Sequence, residues 1–122
     1  MTGVQTCALP ICFGAQWAEE DDRILQQIAR GQRKLAKMEV PDDVLRDAAQ
    51  LCSATGVDGL RGELTLMRAS RAYAALKGAK AVRREHLLHV APLALRHRLR
   101  RDVLDESGST ARIERAIAEH FK

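Results

Sequence analysis

Aromatic residues are nearly missing from this sequence: one Trp, one Tyr and two Phe among 122 residues. That is too few for the stacking platforms on which single-stranded nucleic acids are held. Neither a CxxC pair nor a CxxC…HxxxH arrangement occurs, so the three cysteines, at positions 7, 12 and 52, form neither a zinc-site pattern nor a disulfide framework. No GxxxxGK[ST] loop is present, and nothing in the chain can wrap a nucleotide's phosphates as that loop does. An NTPase acting by itself is excluded. GxSxG is also absent and the cysteines lack an evident His or Asn partnership, which removes support for nucleophilic hydrolysis. Strand-favouring runs are missing, and no apolar run approaches the ~20 residues of a membrane span.

What remains is charged and alanine-rich, with room for one domain. Twenty Lys and Arg face sixteen Asp and Glu, a net charge of +4, which is a modest excess on a mixed surface. The opening stretch "MTGVQTCALPIC" is apolar, but it lacks a basic start and Pro10 interrupts a short apolar core. It does not read as a signal peptide, and a reducing cytoplasm is the expected compartment.

The apolar spacing predicts a small all-α bundle of four to five helices. From Gln16 to Lys37, the residues Trp17, Ile24, Leu25, Ile28 and Leu35 recur at helical intervals, with acidic residues early and basic ones late. Gly31 is a weak point expected to bend or split that helix. Pro41 suits the first position of a second helix, which runs to about Thr55 with Val44, Leu45, Ala48 and Cys52 inward, and Gly56 ends it. A third helix spans about Leu60 to Lys77, closed by Gly78. A fourth, from about Arg84 to Arg98, contains Pro92 and is expected to kink or divide there. A fifth aligns Ile113, Ala116, Ile117 and Phe121.

Few residues carry candidate chemistry. The pairs Asp21/Asp22 and Asp42/Asp43 stand at helix starts, where they compensate the dipole. His86, His89 and His97 fall along the fourth helix, but their spacing is poor for a shared ion and no metal site is assigned. The informative segment is "VDGLRGELTLMRASRAYAALKG". Arg61 stands at the mouth of a helix between two glycines, and Arg68 lies two turns on along the same stripe. Two readings fit: a solvated arginine stripe, or a phosphate contact in which guanidinium and helix dipole act on one anion.

At these residues the chain resembles the C-terminal helical lid of AAA+ ATPases of the magnesium chelatase group, and within it the ATPase (I) subunit more than the D subunit. The resemblance is carried by "VPDDVLRDAAQLC", "GVDGLRGELTLMRASRAYAALKG", the V-x-x-E-H-L start of the next helix, "LALRHRLRRD" and "LDESGSTARIERAI", together covering about residues 17 to 121. It implies that Arg61 is the sensor 2 residue reaching the γ-phosphate of ATP held between lid and core; Arg68, by its place on the same stripe, is a second nucleotide-side candidate. It also implies a parent protein that uses ATP and Mg2+ and forms a homo-oligomeric ring. That ring works with a D subunit and a porphyrin-binding H subunit to insert magnesium into protoporphyrin IX for chlorophyll or bacteriochlorophyll synthesis. Residues 13–122 would be the lid, with 13–38 the end of the connection from the absent AAA+ core, and no catalytic residue would lie in this piece.

Two departures stand out: Val103 occupies a position where a proline is expected, and Arg83 and Arg84 stand where Ser, Thr or Asp would cap the fourth helix. The basic run Arg96, His97, Arg98, Arg100 and Arg101 has no role implied by the resemblance and reads as a subunit-interface or surface patch. The competing reading is a free-standing helical adaptor or DNA-binding module that sets this run against phosphates. "MTGVQTCALPI" is similar to the translation of a common sequencing-library adapter read from GTG as Met. On that reading residues 1–12 are a non-native segment, Cys12 is a junction codon and the gene enters at about Phe13.

Overall fold

Helical periodicity without strand-forming runs yields five helices among the described residues of the computed structural model, which are 10–57, 59–100 and 108–122. They are α1 (Pro10–Leu35), α2 (Asp42–Thr55), α3 (Leu60–Leu76), α4 (Arg84–Leu95) and α5 (Ser109–His120). Residues 1–9 of the expected adapter-derived stretch, together with Arg101 and Val103, lie outside the described residues.

The core is aliphatic, as the shortage of aromatics requires. Leu51 of α2, Leu66 of α3, Leu87 and Leu95 of α4 and Ile113 of α5 are fully buried against one another. Each buried leucine contributes roughly 1.5–3 kcal/mol relative to an exposed one. Two buried hydroxyls are satisfied inside their own helices: Thr55 Oγ1 donates to the Leu51 carbonyl at 2.8 Å and Ser70 Oγ to the Leu66 carbonyl at 2.7 Å. Helix α3 is central, with α4, α2 and α1 all packed on it, and among the described residues α1 packs on no other helix.

Gly31 was expected to weaken α1, but the helix runs unbroken through it. Gly31 is buried against α3, and a Cβ there would stand 3.3 Å from Leu76 Cα, so the missing side chain lets two backbones approach. Three side chains close the same contact: Arg71 Nη2 donates to the Leu35 carbonyl at 3.1 Å, Lys34 Nζ to the Gly78 carbonyl at 2.9 Å, and Gln27 Nε2 to the Leu76 carbonyl at 3.4 Å. The apolar stripe of α1 is not inward along its length. Trp17, Ile24, Leu25 and Ile28 remain 42–61% exposed, because α3 covers only the C-terminal part of α1.

Helix α4 also departs from expectation. It passes Pro92 as one element and stops at Leu95, three residues short of the predicted end, so His97 lies beyond the helix that carries His86 and His89. Its N-terminus is not poorly capped. His86 Nδ1 accepts the Arg83 N–H at 3.1 Å, the part a Glu or Gln plays in a capping box. Arg84, far from being a failed cap, forks onto the buried Asp47 of α2 (Nε to Oδ2 2.6 Å, Nη2 to Oδ1 3.1 Å) and lies over the Phe121 ring at 5.7 Å. Asp47 raises the Arg84 pKa further above its already high ordinary value, so the fork stays charged.

Candidate functional site

The site at the start of α3 is assembled from the turn that precedes it. Helix α2 ends at Gly56 in the left-handed conformation (φ 71°), whose N–H bonds back to the Ser53 carbonyl, while the Val57 N–H returns to Cys52 O at 3.1 Å. Gly59 then takes φ 68° and ψ 174°, a conformation closed to residues with a Cβ, and α3 begins at Leu60. Gly62 is buried directly under the turn: a Cβ on it would stand 2.0 Å from Val57 Cγ1 and 3.9 Å from Leu95 Cδ2. Of the two glycines around Arg61, one therefore supplies the backbone turn and the other the close approach that presses the turn onto the helix.

Arg61 is the second residue of α3 and is exposed, and its guanidinium has no hydrogen-bond or ion-pair partner among the described residues. Its carbonyl accepts the Thr65 hydroxyl at 2.8 Å, which ties the backbone of the first turn while leaving the side chain outward. Arg68 is likewise exposed, seven residues on and about 10 Å farther along the same face. Beside this face, toward α2, Leu60 and Leu64 are 73% and 56% exposed. With Leu45 and Met67 they line a groove of about 280 Å³ between α2 and α3, so Leu45 belongs to this surface and not to the inner stripe predicted for it.

The unengaged guanidinium and the first N–H groups of α3 can bind an oxyanion between them. They fit one side of a phosphate. The loop that would wrap its other side is not in this sequence.

The remaining candidates are dispersed. His86 serves as a cap, His89 stacks on Tyr73 with centroids 4.5 Å apart, and Arg96 Nε donates to His97 Nε2 at 3.0 Å. Within the basic run, Arg96, His97 and Arg100 are exposed and Arg98 is half-buried. The Arg100 N–H donates to the Gly56 carbonyl at 3.4 Å, which brings this segment back against the turn before α3. Cys52 is buried, and burial together with nearby Glu63 pushes its thiol up to about 11.

Sequence reasoning missed Arg112. From α5 it donates Nη1 to the Arg100 carbonyl at 2.9 Å and Nη2 to the Thr55 carbonyl at 3.3 Å, closing the end of α2 from behind the turn. A signal was available, because an arginine in the first turn of a helix opposes the dipole and needs another reason to be there.

Residues 45–117 match the family described as the AAA lid domain. The chain is 54% identical over 110 residues to the magnesium-chelatase 38 kDa subunit of Rhodobacter capsulatus, covering 90% of this chain and 31% of that protein. It is 40% identical to the subunit of the same name from Chlorobaculum parvum, over 90% of this chain and 32% of the relative. It is also 36% identical over 112 residues to the chloroplastic magnesium-chelatase subunit ChlI of Oryza sativa subsp. indica, 92% of this chain and 27% of the relative. The chain thus spans about a third of the length of the curated relatives it matches.

Proposed function

Because this chain belongs to the AAA lid domain family, we propose that it is the C-terminal lid of a magnesium-chelatase ATPase subunit and that Arg61 is its sensor 2 residue, set against the γ-phosphate of ATP. One observation carries the reading. Arg61 is the exposed, unengaged guanidinium at the α3 N-terminus, held there by Gly59 and Gly62.

In the intact protein ATP would lie between this lid and a core bearing the phosphate loop, with Mg2+ on its phosphates. The lid contributes no nucleophile and no base. Its backbone turn fixes where Arg61 emerges, and the guanidinium stabilises negative charge that grows on the transferring phosphoryl group. Arg68, two turns farther along the same stripe, supports the same ligand or the facing core. Residues 13–38 are the end of the core-to-lid connection, and residues 1–12 are non-native. The parent forms a ring and works with D and H subunits in the cytoplasm to insert Mg2+ into protoporphyrin IX. Among the described residues no helix is long and apolar enough to cross a membrane.

The test is Arg61→Ala in an intact ATPase subunit carrying this lid. ATP hydrolysis is expected to fall by roughly a thousandfold with ring assembly unchanged, while the 122-residue chain alone shows none. Wild-type turnover in the variant overturns the sensor assignment. Salt-sensitive binding of duplex DNA by the chain alone would instead favour the adaptor reading.

A further inference from the structure

The turn that presents Arg61 is held on two sides. In front, Val57 is pressed against the bare Cα of Gly62. Behind it stands Arg112, which reaches from α5 to two carbonyls on either side of Gly56: that of Thr55, its chain neighbour, and that of Arg100, whose own N–H bonds Gly56 O. Three hydrogen bonds and the Thr55–Gly56 peptide bond thereby link Thr55, Gly56, Arg100 and Arg112 in a closed circuit, and Val57 faces Leu99 in a bridge beside it.

The circuit is positioned to govern the direction of α3. Gly56 and Gly59 are glycines at positive φ, so their own backbones add little stiffness around the turn. The Thr55 carbonyl lies at the negative end of α2, where a guanidinium is favoured twice over, by the hydrogen bond and by the dipole. Loss of the Arg112 side chain would leave two carbonyls without this donor, and the Arg100 segment would then be held to the turn only by its own N–H to Gly56 O and the Val57–Leu99 bridge. Meanwhile Ile113 and Ala116, which anchor α5 in the core, would stay buried.

We infer that Arg112 is a positioning residue for Arg61: by clamping the Thr55 and Arg100 carbonyls around Gly56 it fixes the turn from which Arg61 projects. This rests on the reading of Arg61 as a phosphate contact, and the experiment has two arms so that the two ideas fail separately. In the first, amide exchange is followed in the 122-residue chain carrying Arg112→Met. Exchange at Gly56, Val57 and Arg100 rises at least tenfold while Leu66 and Leu87 keep their protection, and Arg112→Lys restores part of the difference. Unchanged exchange at Gly56, Val57 and Arg100, or an equal rise throughout the core, overturns the clamp.

The second arm measures ATP turnover in an intact subunit carrying this lid. Arg112→Met lowers kcat ten- to a hundredfold with KM for ATP changed less than twofold, as expected when a contact made in the transition state is misplaced by about an ångström. Combined with Arg61→Ala it causes no further loss, since it acts through Arg61. A full additional loss in the double variant overturns the coupling to Arg61. Normal turnover in Arg61→Ala alone overturns the sensor reading and the coupling with it, and the exchange arm still decides the clamp.

Discussion

Cys52 shows how one residue reports on the packing around it. Its thiol is buried between α2 and the first turn of α3, near Glu63, and both burial and that carboxylate disfavour the thiolate. The ordinary thiol value of 9.0 rises to about 11 in the fold. The folded state therefore holds its proton to higher pH than the unfolded chain does. The resulting stabilisation is fully present below pH 9 and is lost as pH rises through 11, on the order of 3 kcal/mol in all. Denaturant titrations from pH 8 to 11 on a chain with Cys7 and Cys12 replaced by serine should show that decline, and Cys52→Ala should flatten it. Equal slopes with and without the thiol would refute the burial argument.

Among single elements, the junction of the Gly56 turn with α3 depends most on one missing atom. A methyl on Gly62 would overlap Val57 Cγ1 at 2.0 Å, and Val57, short and β-branched, has no distal end to swing away. Gly62→Ala gains up to ~1 kcal/mol of helix propensity and loses more to the displaced turn. A net destabilisation of about 1–3 kcal/mol follows, with a parallel drop in ATP turnover in the intact subunit. A stabilised Gly62→Ala lid would mean that the turn is not pressed on the helix.

The helices themselves were legible in the sequence because each carries its own 3.6-residue stripe and its own stop, as at Gly56. The errors came where partners lie far along the chain. Gly31 looked like a defect until α3 was placed against it, and Arg84 looked like a poor cap until Asp47 and Phe121 came within reach. The engagement of His86 Nδ1 by the Arg83 N–H, with His86 taking the place of a capping Glu or Gln, was likewise not legible from residue type. At the candidate site, Arg61 and its two glycines were visible as a motif. Arg112 was not, since 51 residues of chain separate it from Arg61.

At the scale of the molecule, α2 to α5 share one aliphatic core, while α1 leans on α3 alone and leaves its N-terminal half uncovered. Phe13, Trp17, Ile24 and Leu25 are each 45–61% exposed there. A helix segment without tertiary cover keeps only its marginal intrinsic stability. Amides of residues 13–26 should exchange within about tenfold of an unfolded chain, and those of Leu51, Leu66 and Leu87 should be protected by several more decades. Fluorescence of Trp17, the one tryptophan, should accordingly change at lower denaturant than the helical signal of the whole. Coincident transitions would show that α1 is part of the same cooperative unit.

The sequence by itself determined that the chain is helical, where most helices start and stop, that its core is aliphatic, and that no phosphate loop accompanies Arg61. Those properties are local, set by residue type and by spacing within a few turns. Only the tertiary structure decided which faces are covered, which glycines are contacts, and that an arginine of the last helix holds the turn before the third. Such relations depend on which distant segments meet when the core closes, and periodicity within one helix carries no record of its neighbours.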